Sequence, residues 1–213
     1  YNNEKQKIEK MEEIKMKEMN YLNPMIVEEE RGTRYSSDIY TRMLKDRQIF
    51  VVGEVTTDMS LSVVAQLLYL DSLNHEDITL VLNSPGGSCM EGMAMIDTMY
   101  NIQSKTNVIC FGLAASMGSL LLTAATGKRQ ILPHGEVMIH NPSTQMSGQY
   151  LDLKNNMEHL ERTRNTLFEI YQKKTKLTEK MLEDYLTKDW WMTAEEALKY
   201  GVVDEILQPV HRL

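Results

Sequence analysis

Cysteine is scarce in this chain: Cys89 and Cys110 are the two in 213 residues. Neither stands at metal-ligand spacing, and both lie in apolar or helical surroundings, so they read as buried free thiols of a reducing compartment. Basic charge is also short. Lys and Arg number 23 against 30 Asp and Glu, a net charge of -7, and the isoelectric point is near 5.3. Nucleic acid as a main partner needs a basic surface and is set aside. Long apolar runs are missing as well; none approaches the roughly 18 residues of a membrane-spanning helix, so no membrane association is expected. The first residues are charged, unlike a basic-then-apolar secretory leader. What remains is 42% hydrophobic and 25% charged, with 16 Met as core and interface filler. That is enough chain for one large domain with a real core.

Residues 1–22 carry five Lys and five Glu, with Ile8 and Met11 near helical spacing. They form a charged N-terminal extension, read as a solvated helix, a disordered stretch or a propeptide-like leader. Asn23-Pro24 breaks the pattern and sets the domain boundary. Residues 25–46 read as a polar connector ending in a short helix, Asp38 to Leu44. Beyond it, apolar runs alternate with helical patterns. Strands are expected at Gln48–Gly53, Ile78–Leu82, Val108–Phe111, Gln130–Leu132, Val137–Ile139 and Val202–Ile206. Helices are expected at Thr57–Leu73, with Leu61, Val64, Leu67, Leu68 and Leu70 on its apolar face, and at Met90–Ile102. A long helix from about Tyr150 to Lys174 should turn Leu151, Met157, Leu160, Leu167 and Ile170 inward. Shorter ones follow at Glu179–Leu186 and Thr193–Tyr200, the latter with a capping-box spacing (Thr193, Glu196) and Gly201 as C-cap. The alternation predicts an α/β domain with mostly parallel strands.

The chemistry concentrates at the ends of three strands. Gly112-Leu-Ala-Ala-Ser-Met-Gly-Ser119 leads from a strand into a helix, which puts Ser116 where free N–H groups and the helix dipole favour developing negative charge. Asn83-Ser-Pro-Gly-Gly-Ser88 is a second glycine turn after a strand, and His140 follows a third. A serine hydroxyl is a poor nucleophile until a base takes its proton, and the base needs an orienting acid. Asp189, in a loop beside two tryptophans that could shield the site, is the candidate acid; Asp184 and Asp204 are the alternatives. Gly87 and Met117 N–H groups would serve an oxyanion, each such donor being worth about 3–4 kcal/mol. Taken singly, every one of these has a plainer reading: Ser116 a helix cap, His140 a core histidine, the glycine turn a tight bend or phosphate nest. Their joint presence carries the signal.

Six stretches together resemble the ClpP family, serine peptidases of the Clp proteolytic machines within the crotonase-like spiral folds. They are Asp38 to Arg47, Gln66-Leu-Leu-Tyr-Leu70, Asn83 to Ser88, Gly112 to Gly118, Val137-Met-Ile-His-Asn-Pro142 and Thr193 to Gly201. The resemblance spans about Asn23 to Leu207. It implies an α/β spiral of ββα units with a protruding helical handle, over a domain of 23–213. The axial loop would be 23–37 and the handle about 143–174. It implies Ser116 as nucleophile, His140 as base and Asp189 as orienting acid, with Gly87 and Met117 forming the oxyanion hole. It further implies two stacked heptameric rings of the chain enclosing a chamber. Unfolded polypeptides would be fed in by an AAA+ unfoldase of ClpX, ClpA or ClpC type. The peptidase subunit itself would need no cofactor or metal, ATP being used by the unfoldase. Its compartment would be the bacterial cytoplasm or an organelle matrix. In the family the peptide lies as an added strand beside the segment after the Ser-Pro-Gly-Gly turn and the segment after the histidine, a backbone-driven mode with little sequence preference.

The departures bear on activity. Thr144-Gln145 replace the family's usual Gly-Gly in the handle strand, and Thr187-Lys188 replace an Asp-Arg pair that links the rings. Thr79 and Val81 stand where unfoldase-docking tyrosines often alternate, and one residue is missing near Thr126-Gly127. The Thr144-Gln145 and Thr187-Lys188 positions motivate an alternative, a weakly active or non-catalytic paralogue that partners a second ClpP-type subunit in the ring. An acyl-CoA enzyme of crotonase type shares the fold logic but has no need of the Ser–His–Asp set.

Overall fold

The structure, a computed structural model, describes residues 24–30, 32–143, 146–185, 187–208 and 210. It divides into two compact units, one ending at Arg47 and one beginning at Gln48. The charged extension over 1–22 and the Thr144-Gln145 pair lie outside the described residues. In the first unit the expected connector is a hairpin. Strand β1 (Met25–Glu30) pairs antiparallel with β2 (Thr33–Asp38), Met25 opposite Asp38. Its side chains are mostly polar or charged, and none of those described is buried, so no apolar alternation marks it as strand. Gly32 makes the turn at φ 80°, a conformation that suits glycine. Helix α1 (Ile39–Lys45) follows, with the Asp38 carboxylate accepting from the Thr41 N–H and hydroxyl as N-cap. Arg42 reaches back from this helix to Glu28 at 2.7 Å.

The second unit is a mixed α/β structure built on a largely parallel sheet. Strands β3 (Gln48–Val52), β4 (Ile78–Ser84), β5 (Thr106–Ala115), β6 (Arg129–Ile131) and β9 (Glu205–Ile206) lie side by side, all parallel. Strand β7 (Glu136–Ile139) pairs in parallel with the C-terminal half of β5, and β8 (Trp190–Thr193) adds antiparallel to β7. Parallel neighbours need crossovers, and helices supply them. Between parallel neighbours they are α2 (Thr57–Leu73), α3 (Cys89–Asn101) and α4 (Met117–Thr123); α5 (Tyr150–Lys174) and α6 (Glu179–Tyr185) lead from β7 to β8, and α7 (Ala194–Tyr200) from β8 to β9. Ile49, Val51, Leu80, Leu82, Val108 and Cys110 face a core shared with Leu67, Leu70, Met95, Ile96 and Met99. Every residue of α4 is buried, which makes it a spike driven into the core rather than an amphipathic surface helix. Among the described residues, no helix is long and apolar enough to cross a membrane.

Several expectations are met and others corrected. Helices α2 and α5 have the predicted bounds. Thr193 and Glu196 form the capping box, and Gly201 ends α7 at φ 72°. The inward face of α2 is instead Ser60, Val63, Leu67 and Leu70, with Leu61 and Leu68 70% and 53% exposed. A helix with leucine on several sides gives periodicity too little contrast to choose a face. In α5 the described burial is confined to Leu167, Phe168 and Tyr171, while Leu151 and Met157 are exposed. Cys110 is buried and its thiol pushed up to about 11, chiefly by that burial. Cys89 is only half-buried, contrary to expectation, because it opens α3 at the rim of a cavity.

One polar network ties the end of α2 to the approach of β5. Burial favours the neutral form of Asp71, but the Ser104 N–H and hydroxyl, both at 2.8 Å, together with His75 outweigh it and hold its carboxyl at about 2. A depressed carboxylate stabilises fully above its unfolded value, near pH 4, and that contribution is lost as pH falls through 2. Asp71→Asn is therefore expected to cost about 1–2 kcal/mol at pH 7. In urea unfolding across pH, the difference from wild type should shrink towards pH 2.

Candidate active site

Two ladders bring the three sequence-predicted side chains together. Parallel pairing sets Ala115 of β5 beside Met138 of β7, so Ser116, the next residue, lies at the end of β7 where the chain emerges as His140. The last rung is the Ser116 N–H donating to the Met138 carbonyl at 2.8 Å. Antiparallel pairing sets Ile139 opposite Trp190, so the residue after Ile139 and the residue before Trp190 face each other. Those are His140 and Asp189. Asp204 pairs with Arg129 instead, and Asp184 lies on α6. Strand β8 was not expected from the sequence, yet its start positions Asp189. Its first ring, Trp190, is packed between Tyr185 (4.3 Å, stacked) and Tyr200 (5.0 Å, edge-on).

Ser116 has φ 53° and ψ -121°, one of two positive-φ non-glycine residues among those described. Holding a side chain there costs about 1–3 kcal/mol and needs surroundings that over-determine it. Its position is that of an N-cap for α4, but its hydroxyl caps nothing; it lies 2.7 Å from His140 Nε2. The helix-cap explanation of this serine therefore fails. His140 Nδ1 lies 3.7 Å from Asp189 Oδ1, within ion-pair range but beyond a hydrogen bond, and the Asp189 side chain is 59% exposed. The serine–histidine half of the constellation is closed and the histidine–carboxylate half is open.

The glycine turn packs directly against this serine. A Cβ on Gly86 would lie 2.6 Å from Ser116 Cβ and 2.9 Å from the Met117 nitrogen; one on Gly87 would lie 2.5 Å from the Val55 carbonyl oxygen. Only glycine fits either position. Val55 donates to the Gly86 carbonyl and accepts from the Ser88 N–H, a parallel bridge that leaves the Gly87 N–H pointing away from Val55. The Ser84 hydroxyl stiffens the turn by donating to the Gly53 carbonyl and accepting from the Gly86 N–H. Met117 is the first residue of α4, so its N–H has no partner within the helix. A cavity of about 410 Å³ opens over Ser116, His140, Gly86 and Gly87. A small space of about 20 Å³, also lined by Ser116 and His140, reaches Leu120, Leu167, Phe168 and Tyr171. A further cavity, about 490 Å³, adjoins both through Cys89 and Pro142 but does not contain the serine. Burial pushes the half-buried Cys89 thiol up, which keeps it protonated beside the serine.

A serine hydroxyl on an imidazole nitrogen, with two backbone N–H groups nearby, is equipped for acyl transfer. The family described as Clp protease matches residues 30–210. The chain belongs to the Clp protease family. Within that family's matched span lie Ser116, His140, Asp189, Gly87 and Met117. The sequence reading missed Gly86, whose lack of a side chain lets the turn touch Ser116, and the buried Ser119 and Tyr171. The first was legible in the Gly-Gly pair; the other two carried no local signal. Among the described residues, no group of three or more His, Cys, Asp or Glu is placed to hold a metal ion.

The strain at Ser116 makes a prediction. Glycine adopts φ near 53° at little cost, whereas alanine keeps the penalty. Ser116→Gly is expected to melt higher than Ser116→Ala, by an amount equivalent to about 1 kcal/mol. A lower melting temperature for the glycine variant would refute the strain argument.

Proposed function

We propose that this chain is a serine endopeptidase subunit that hydrolyses unfolded polypeptides. Ser116 Oγ attacks the scissile carbonyl while His140 Nε2 takes its proton. The tetrahedral oxyanion is held by the Gly87 and Met117 N–H groups. His140 then gives the proton to the leaving amine, and a water molecule repeats the sequence to release the acyl group. Asp189 orients the Nδ1–H of His140 and balances the imidazolium charge. The observation that carries this reading is the 2.7 Å contact between Ser116 and His140 made by a serine that caps no helix. No cofactor is needed for these steps.

By the same family reading, two heptameric rings enclose the site and an AAA+ unfoldase feeds it, in a bacterial cytoplasm or organelle matrix. Residues 23–37 would line the axial entry, and about 143–174 would form the handle between rings. The 3.7 Å gap from His140 to Asp189 favours a second reading, a weakly active paralogue that serves mainly as a ring partner.

Intact-mass spectrometry after treatment with a fluorophosphonate separates the two. A single adduct on wild type, absent from Ser116→Ala, is expected. Asp189→Asn should slow its formation by roughly 10²–10⁴-fold. No adduct on well-formed rings would move the assignment to the ring-partner reading.

A further inference from the structure

The peptide unit between Ser116 and Met117 carries both the Ser116 carbonyl and the Met117 N–H. A trans peptide is planar, so its C=O and N–H point in opposite directions, and fixing one fixes the other. The Ser116 carbonyl is fixed heavily. It accepts from the Ser119 N–H at 3.0 Å, the Leu120 N–H at 3.3 Å and the Ser119 hydroxyl at 2.7 Å. Ser119 Oγ in turn lies 2.6 Å from the hydroxyl of Tyr171 on α5. Each hydroxyl has one hydrogen. With that of Ser119 spent on the Ser116 carbonyl, Tyr171 is the donor to Ser119. Ser119 is fully buried and Tyr171 is 4% exposed, so no water competes for either group.

We propose that Tyr171, acting through Ser119, is a positioning residue. It clamps the Ser116–Met117 peptide so that the Met117 N–H is aimed outward at the developing oxyanion. This rests on the serine-peptidase reading above. The chain runs from α5, outside the α4 turn, and adds a side-chain clamp to a peptide that the Ser119 and Leu120 N–H groups hold from within that turn. The ring of Tyr171 is separately buried with Leu167 and Phe168, so hydroxyl and ring are separable by mutation. Burial pushes the phenol well above the ordinary tyrosine range, with the Ser119 hydrogen bond opposing that only in part, so the donor hydrogen is retained at any pH at which the protein would work.

The test is Tyr171→Phe, which keeps the ring and removes the donor, with active sites counted by fluorophosphonate titration. Expected are a kcat per titrated site lower by roughly three- to tenfold, an unchanged KM, and a peptide boronate bound more weakly by a similar factor. The boronate adduct carries the tetrahedral oxygen that Met117 would hold. Ser119→Thr, which keeps a hydroxyl, should retain kcat. Ser119→Ala alone leaves the Tyr171 hydroxyl without an acceptor and is expected to lower the melting temperature most. The Tyr171→Phe/Ser119→Ala double variant removes both hydroxyls, should recover part of that loss, and should keep the low kcat. A purely structural role for Tyr171 would shift melting temperatures and leave kcat per titrated site and boronate affinity as in wild type; that result overturns the proposal. So does a change confined to KM. Failure of wild type to react with the fluorophosphonate would instead overturn the peptidase reading itself.

Discussion

The site depends on register. Ala115 opposite Met138 and Ile139 opposite Trp190 are the pairings that bring a serine, a histidine and a carboxylate to one place. Strand residues alternate faces, so a slip of one position in either ladder would turn one of these side chains away from its partner. The strain at Ser116 is tolerable for the same reason. On one side the residue is held by the last rung of β5 with β7, and on the other by a helix buried along its whole length. Neither neighbour can relax without disturbing the core, so the backbone stays in a conformation it would leave if free.

The two halves of the constellation differ in how firmly they are built. Ser116 and His140 grow from the ends of strands whose preceding residues, Ala115 and Ile139, are nearly inaccessible to solvent. Asp189 comes from a short segment between α6 and β8, anchored by the rings of Tyr185, Trp190 and Tyr200 but itself largely in solvent. An exposed carboxylate is well hydrated and gains little from approaching an imidazole. The open 3.7 Å separation follows from that placement, and excluding water from the Asp189 edge would favour its closure.

Much of the chain was legible because its signals are local. The bounds of α2 follow from the Thr56 N-cap and the polar break after Leu73, and α5 runs uninterrupted by glycine or proline. Gly86 and Gly87 announced a close approach, though not to what. The misses share a cause. The hairpin of β1 and β2 has no buried face to impose an apolar alternation, and β8 is too short to show one. Leu61, Leu68, Leu151 and Met157 are apolar but exposed in the single chain, so helical periodicity assigned them to an interior that the fold does not supply. Tyr171 and Ser119 are 52 positions apart, and nothing short of the tertiary structure joins them.

Helix α5 has a further consequence. Its 25 residues span nearly 40 Å at the usual rise per residue, yet burial is confined to the C-terminal third. Tyr150, Leu151 and Met157 face solvent at 78%, 68% and 58% exposure. A helix so placed draws little of its stability from the body that carries it. Its outer turns should fray first in hydrogen exchange, on a timescale separate from that of the turns around Tyr171. Whatever covers those side chains would add order to the helix in proportion to its own concentration, so folding of this element becomes a quantity governed by mass action.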